Sequence, residues 1–410
     1  MARTVQFRFL TGREPADLID LPWSVPLDRW DHPSLVSRTR GQSRHVVRFV
    51  SLGDRTYALK ETSEREAQKE YGMLRQIRAA GLPAVDAVGL VTGRTTPEGS
   101  PLDGVLVTRF LDYSLPFRYL FSLEGGAPLS HKLIDAAVVL LVRLHVDGFY
   151  WGDCSLSNLL FRRDAGSLMA YLVDAETSEH REPLPEGMRQ HELEVARENF
   201  AGGLMDLAAE GILSPEIEVI EVVNLLVERY VTLWDELTGV TEVDARERHL
   251  IDQRIRRINE MGFDVDELVL EHEPAGDRLR VIPALVEEGH HSRELRRMTG
   301  LEVQENQARR LLNDIASYGA YLARIEGEVP PTAVGAARWI TEVYEPVVAQ
   351  VPDDLRGRLE PAELFHELLE HRYYLSEAAG HEVDNDTGLR SYLESVLRFR
   401  PSEQALFLEE

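Results

Sequence analysis

The residues whose types and spacing could do chemistry lie in one stretch, Tyr150 to Glu176, with the sequence YWGDCSLSNLLFRRDAGSLMAYLVDAE. Asp153 and Asn158 stand five positions apart in a polar loop, and Asp174 ends the second of two short apolar segments. Carboxylates that project from strand ends are where binding and catalytic groups concentrate. Asp-x4-Asn followed by a strand-borne Asp suits magnesium-assisted phosphoryl transfer. One carboxylate orients the attacking hydroxyl, while an amide oxygen and a second carboxylate, both hard ligands, hold Mg2+ against the phosphates. A single Asp or Asn would read as an ordinary polar loop. The spacing together with the apolar framing favours the chemical reading, with Asp153 catalytic and Asn158 and Asp174 as metal ligands.

Several elements must position these groups. The run LLVRLHVDGFY just before the loop closes a helix over 130–146, whose apolar positions 133, 134, 137, 138, 141, 142 and 144 form a buried face. His145 on that helix reads as structural, and Cys154 as a loop filler with nothing to lower its pKa. After the loop, LLF and AYLV read as strands joined by the turn RRDAG. Upstream, residues 35–60 read as three strands, with Gly53-Asp54 between HVVRFVSL and TYALK as a hairpin signal. Residues 63–80 read as a helix with Ser63 as N-cap, Glu66 at the capping-box position and Gly81 as the stop. Strands follow at 87–91 and 104–111.

Gly152-Asp153-x4-Asn158 and Val173-Asp174-Ala175-Glu176 resemble the catalytic and metal-binding loops of the protein-kinase-like superfamily. Within it they resemble the lipopolysaccharide (Kdo/heptose) kinase group and its atypical relatives, over roughly residues 35–210. Glu70-Tyr71-x2-Leu74 with Gly81-Leu82-Pro83 resembles a helix of the same group. Trp151 stands where His is usual in that family, and Ala175-Glu176 where many members carry Phe-Gly. The resemblance implies a nucleotide lysine, Lys60, closing the strand YALK and paired with Glu70, both part of the catalytic set. It implies a phosphate-facing turn at SRTRGQSR, where Gly41, Ser43 and Arg44 would hold phosphate. It also puts Thr108, Phe110 and Leu111 at the border of an adenine pocket. ATP and Mg2+ are the implied cofactors.

The expected fold class is α+β: a bilobal kinase-like domain, with a small antiparallel-sheet lobe and a helical lobe, followed by a mainly α-helical C-terminal domain. The expected divisions are an N-terminal arm (1–34) packed by Trp23 and Trp30, a small lobe (35–112), a large lobe (113–239) and the helical remainder (240–410). The remainder resembles an uncharacterised domain that follows lipopolysaccharide-kinase-like domains in bacteria, and carries no catalytic motif. Residues 291–315 have a helix, Thr-Gly turn, helix outline, but five Arg against four Asp and Glu is no DNA-binding surface, so a plain αα-hairpin is expected. Residues 333–350, 361–379 and 387–398 read as amphipathic helices. His366 and His371 are five apart and do not share a helix face, which argues against zinc.

Composition bounds the alternatives. Acids outnumber bases 70 to 45, a net charge of −25 that repels nucleic acid and anionic lipid. Only three lysines occur (Lys60, Lys69, Lys132), which makes Lys60 conspicuous. The single cysteine excludes an internal disulfide, and no apolar run reaches membrane-spanning length, so a cytoplasmic protein is expected. Two other functions compete with a phosphotransferase. One is a nucleotide-binding pseudokinase or scaffold acting on a protein partner, or on itself, through the C-terminal helices. The other is a DNA-binding regulator, which the net charge opposes. The phosphoacceptor stays open among sugars, glycans, lipid-linked sugars, small metabolites and protein side chains.

Overall fold

The computed structural model describes residues 5–9, 16–37, 44–122, 126–239, 241–244, 265–272, 278–285, 289–327 and 330–406. The chain forms two compact units: residues 1–161 with 170–285 and 407–410, and residues 162–169 with 286–406.

In the first unit, β1 (Gln6–Phe9), β2 (Leu35–Val36), β3 (Val46–Leu52), β4 (Arg55–Thr62), β5 (Ala87–Thr92) and β6 (Gly104–Arg109) form an antiparallel sheet of order β1-β5-β6-β4-β3-β2. Side chains alternate faces along a strand. On β4, Tyr57 and Leu59 therefore share a face, and they pack with Val50, Val88, Val105 and Val107 against the arm residues Leu18, Trp23, Leu27 and Trp30. Lys60 projects to the other face, toward helix α1 (Glu64–Ala79).

The N-terminal arm is more integrated than an extended tail. Gln6–Phe9 pairs with Gly89–Thr92 as an edge strand, and the buried Arg94 guanidinium donates to the Trp23 carbonyl (2.9 Å) and the Glu61 carboxylate (2.6 Å). A buried arginine is tolerated because each donor finds an acceptor.

The rest of this unit is mainly helical. After β7 (Leu115–Pro116) and α2 (Phe117–Ser122) comes α3 (Gly126–Val146), then β8 (Phe149–Tyr150). The hairpin β9 (Leu159–Asp164) and β10 (Ser167–Leu172) follows, with β11 (Glu179–His180) paired to β8, and then α4 (Glu186–Ala209) and α5 (Val219–Thr238). Residues 241–285 fall in the part expected to be mainly helical. They instead contribute β12 (Thr241–Asp244), β13 (Val265–His272) and β14 (Arg278–Leu285), an antiparallel sheet of order β12-β14-β13. The β-branched runs around Pro274-Ala275-Gly276-Asp277 carry that signal in the sequence. The division expected at residue 240 falls ahead of this sheet, which groups with the first unit.

In the second unit, α6 (His290–Thr299), α7 (Glu305–Glu326), α8 (Thr332–Trp339), α9 (Glu345–Ala349), α10 (Pro361–Ala379) and α11 (Asn385–Ser395) surround a core that includes Leu311, Trp339, Tyr344, Phe365 and Leu368. The helix expected over 333–350 is interrupted by a π-helical turn at Ile340–Tyr344. Pro346 has no N–H to continue the regular ladder, which accounts for the irregular turn just before it. Among the described residues, no helix is long and apolar enough to cross a membrane.

Candidate active site

Helix α1 begins where its sequence requires. Ser63 Oγ accepts the Glu66 N–H (3.3 Å), and the Glu66 carboxylate accepts the Thr62 hydroxyl (2.7 Å). Glu66 is thereby committed to the helix start, and Glu70, one turn on, is buried against the sheet. The Lys60 ammonium has three N–H groups and meets three carboxylates: Glu70 Oε2 at 3.0 Å, Asp174 Oδ2 at 2.6 Å and Glu176 Oε2 at 3.2 Å. Burial alone would lower the Lys60 pKa. The Glu70 and Asp174 charges outweigh it, so the ammonium is held above its ordinary value. Burial, with the Asp174 charge added, pushes Glu70 up to about 7 despite Lys60.

Glu176 gathers more cations than sequence reasoning assigned it. Arg44 Nη2 lies 3.1 Å and His45 Nε2 2.9 Å from its carboxylate, and Lys69 Nζ donates to its main-chain carbonyl at 2.8 Å. Arg44 thus reaches the Asp174–Glu176 side of the site, while Gly41 and Ser43 lie outside the described residues. Thr108 sits at the half-buried end of β6, after four buried positions, and the half-buried Phe110 and Leu111 follow just past the strand. The Phe110 ring meets Phe49 edge-on at 5.9 Å, and its N–H donates to the Thr56 carbonyl.

The loop bearing Asp153 is held from beneath. Glu192 of α4 is fully buried; its carboxylate accepts the Trp151 N–H (3.0 Å) and the Gly152 N–H, and it pairs with His145 Nε2 at 2.7 Å. His145 Nδ1 in turn meets the Tyr230 hydroxyl at 2.6 Å, so the imidazole is structural. Gly152 has φ +85°, and a Cβ there would stand 3.0 Å from Thr177 Cβ, so a side chain is excluded on both counts. Asp153 itself is exposed and accepts from Asn158 Nδ2 (3.0 Å) and from Asn199 Nδ2 (3.2 Å). Cys154 is buried, and that burial pushes its thiol pKa well up, as a filler role requires.

Two groups result. Lys60, Glu70, Asp174 and Glu176, with Arg44, form one; Asp153, Asn158 and Asn199 form the other. Two bonds join them: the Trp151 indole N–H to the Asp174 carbonyl (2.8 Å), and the Val173 N–H to the Asn158 carbonyl (3.1 Å). The expected pair of metal ligands is divided between the groups. Oxygens of Glu70, Asp174 and Glu176 lie within 4.8 Å of one another, whereas the amide of Asn158 is engaged with Asp153. The three carboxylates offer hard oxygen donors of the kind a magnesium-sized dication takes, with Lys60 and Arg44 as their counter-charges within the protein. Sequence reasoning missed Glu192, Asn199 and His45. Nothing in the sequence marks the first two, which come from a helix downstream of both loops.

An antiparallel sheet bearing Lys60, a helix carboxylate turned onto it, and a helical part holding the two loops give the first unit a mixed α+β organisation. The second unit is helical. The family described as Domain of unknown function (DUF4032) matches residues 232–397. No curated protein matches the chain. A solved structure, described as WaaP in complex with acyl carrier protein, is similar at 15% identity and a TM-score of 0.39, covering 63% of this chain and 99% of that one.

Proposed function

We propose that the chain is an ATP–Mg2+-dependent phosphotransferase that moves a phosphoryl group to a hydroxyl, with a sugar, glycan or lipid-linked sugar as the acceptor class the motif resemblance favours. The small lobe is then 35–112 and the large lobe 113–239. The observation that carries the reading is Lys60 held between Glu70 and Asp174 while Trp151 ties the Asp153 loop to Asp174. Lys60 binds nucleotide phosphate, and Glu70 fixes the direction of its ammonium. Asp153, exposed and steadied by two amides, orients the acceptor hydroxyl and receives its proton on a carboxylate oxygen. Asp174 and Asn158 would hold the metal, with the Glu176 and Glu70 carboxylates close to Asp174. Arg44, beside Glu176, is the described residue of the phosphate-facing turn, and Thr108, Phe110 and Leu111 border the base. Bound Mg2+ supplies neutralisation of phosphate charge; the chain's own share is positioning.

One observation favours a nucleotide-binding pseudokinase: all three Lys60 donors are already satisfied by carboxylates, one of them from Glu176. The deciding measurement is thermal unfolding with ATP, Mg2+, both and neither. A ligand that binds only the native state stabilises it by about 2.7 kcal/mol at a hundredfold excess over Kd. A rise in Tm requiring both components, and lost in Asp174→Asn, supports the site. No rise at millimolar ATP–Mg2+ removes the nucleotide reading altogether.

A further inference from the structure

The tip of the β9–β10 hairpin, Arg162–Met169, belongs to the second unit, although its two strands run without interruption to Asn158 at one end and Val173-Asp174 at the other. Within that unit the tip is held by a set of directed polar contacts. The Glu363 carboxylate, buried on α10, accepts the Ala165 N–H (2.9 Å), the Gly166 N–H (3.3 Å) and Gln307 Nε2 (2.8 Å). Asp164 accepts the Gln307 N–H (2.8 Å) and the Asn306 N–H (3.2 Å), so a hairpin carboxylate caps the free donors at the start of α7. Arg163 pairs with Glu403 at 2.6 Å, and Arg162 pairs with Glu360. The turn itself is strained at one point: Ala165 has φ +51°, a left-handed conformation that a Cβ disfavours. The Glu363 carboxylate bonds the N–H of that very residue, so the second unit holds the hairpin in a conformation its own sequence resists.

We infer that the second unit positions the candidate active site, with Glu363 and Asp164 as positioning residues acting through β9 and β10 on Asn158 and Asp174. This rests on the phosphotransferase reading for its functional meaning. A paired hairpin is stiff, and its register fixes which face each residue presents. A tip held by several charged and main-chain bonds therefore fixes both strand ends together. The Val173 N–H to Asn158 carbonyl bond closes the far end of the same hairpin and reports on whether the strands stay aligned. Domain-of-unknown-function residues thereby acquire a role, holding the two loops in one geometry, that needs no catalytic group of their own.

The test is amide hydrogen exchange on the full chain, comparing wild type with Glu363→Ala, Asp164→Ala and the conservative Glu363→Gln. The proposal expects exchange at Val173 and in the Asn158 loop to rise about tenfold or more in both alanine variants, with α4 and α5 unchanged, because a local opening becomes easier. Glu363→Gln, which keeps an oxygen facing the Ala165 N–H, should restore part of the protection. Faster exchange at Ala165 and Gly166 with Val173 left at its wild-type rate would overturn the proposal, because the tip then moves without its ends. It is overturned equally if a variant unfolds the second unit, seen across α7 and α10, while Val173 stays protected. The readout needs no nucleotide, so a failure here is separate from a failure of the ATP–Mg2+ titration.

Discussion

The indole N–H of Trp151 donates to the main-chain carbonyl of Asp174 at 2.8 Å, so Trp151 ties the loop of Asp153 to the loop of Asp174. Trp151 is buried, and its own N–H and carbonyl are also engaged, by Glu192 on one side and by Thr177 and Ser178 on the other. Trp151→Phe keeps much of the packing and removes only the indole donor. Losing one hydrogen bond costs about 1 kcal/mol of stability, and the substitution should weaken the ATP–Mg2+-induced rise in Tm by more than that global cost explains. An unchanged nucleotide response with lowered stability would make Trp151 a packing residue alone.

Asp153 is the group proposed to receive the acceptor proton, and its exposure sets it apart from the buried acids nearby. Asp153→Asn is nearly isosteric, so folding and nucleotide binding should persist while phosphoryl transfer falls by about 100-fold or more, the usual worth of a positioned base. ADP release measured side by side is the check. Equal turnover in the two proteins would remove Asp153 from the mechanism.

The sequence made much of this site legible because its main residues sit close to strong local signals. Lys60 lies in β4 among β-branched and aromatic neighbours, with the strand running two residues past it to Thr62; Ser63 and Glu66 mark the start of α1, and Asp153, Asn158 and Asp174 fall within one hairpin-bearing stretch. What was not legible depends on long-range packing. Glu192 reaches the loop from α4 and is defined by the two N–H groups it accepts, which no local pattern encodes. His45 and Glu176 meet across more than a hundred residues. The edge strand Gln6–Phe9 was missed because its polar–apolar alternation lasts only four residues beside a Pro- and Trp-rich stretch, and its pairing with β5 supplies what so short a run lacks. The three strands of 241–285 were missed for a different reason: helical runs on both sides drew the whole segment toward a helical reading.

Stability of the second unit should depend on pH through Asp164. Burial pushes its carboxyl up to about 7 from an ordinary 3.8, against the Gln307 and Asn306 donors that favour the ionised form, and the nearby Glu363 charge adds to the rise. The folded state therefore holds this proton more tightly than the unfolded state does. Its contribution to stability is greatest below about pH 4, declines as pH rises toward 7, and is constant above that. The expected decline is on the order of a few kcal/mol. Asp164→Asn should flatten it over that window. Chemical denaturation followed across pH 4 to 8 in both proteins is the measurement, and identical pH profiles would show that Asp164 does not titrate as its burial implies.

The Lys60–Glu70 contact at 3.0 Å makes a quantitative claim about the small lobe. Groups in contact show coupling in a double-mutant cycle, about 0.5–3 kcal/mol, and distant ones do not. Lys60→Met and Glu70→Gln should each weaken ATP–Mg2+ binding, and the double variant should be little worse than either alone, because Glu70 acts only by directing the Lys60 ammonium. Their effects on stability should differ. Glu70 is almost fully buried with a pKa near 7, so Glu70→Gln removes a group whose ionisation is costly in place and should be tolerated by the fold. Lys60→Met leaves Glu70, Asp174 and Glu176 facing one another without their shared cation and should be the more destabilising at neutral pH. Glu66→Gln is the control. Its carboxylate serves Thr62 at the helix start, so it should cost at most about 1 kcal/mol and leave nucleotide affinity unchanged. Additive losses from Lys60→Met and Glu70→Gln, measured by nucleotide titration, would mean that the two residues act separately and that Glu70 does not direct the lysine.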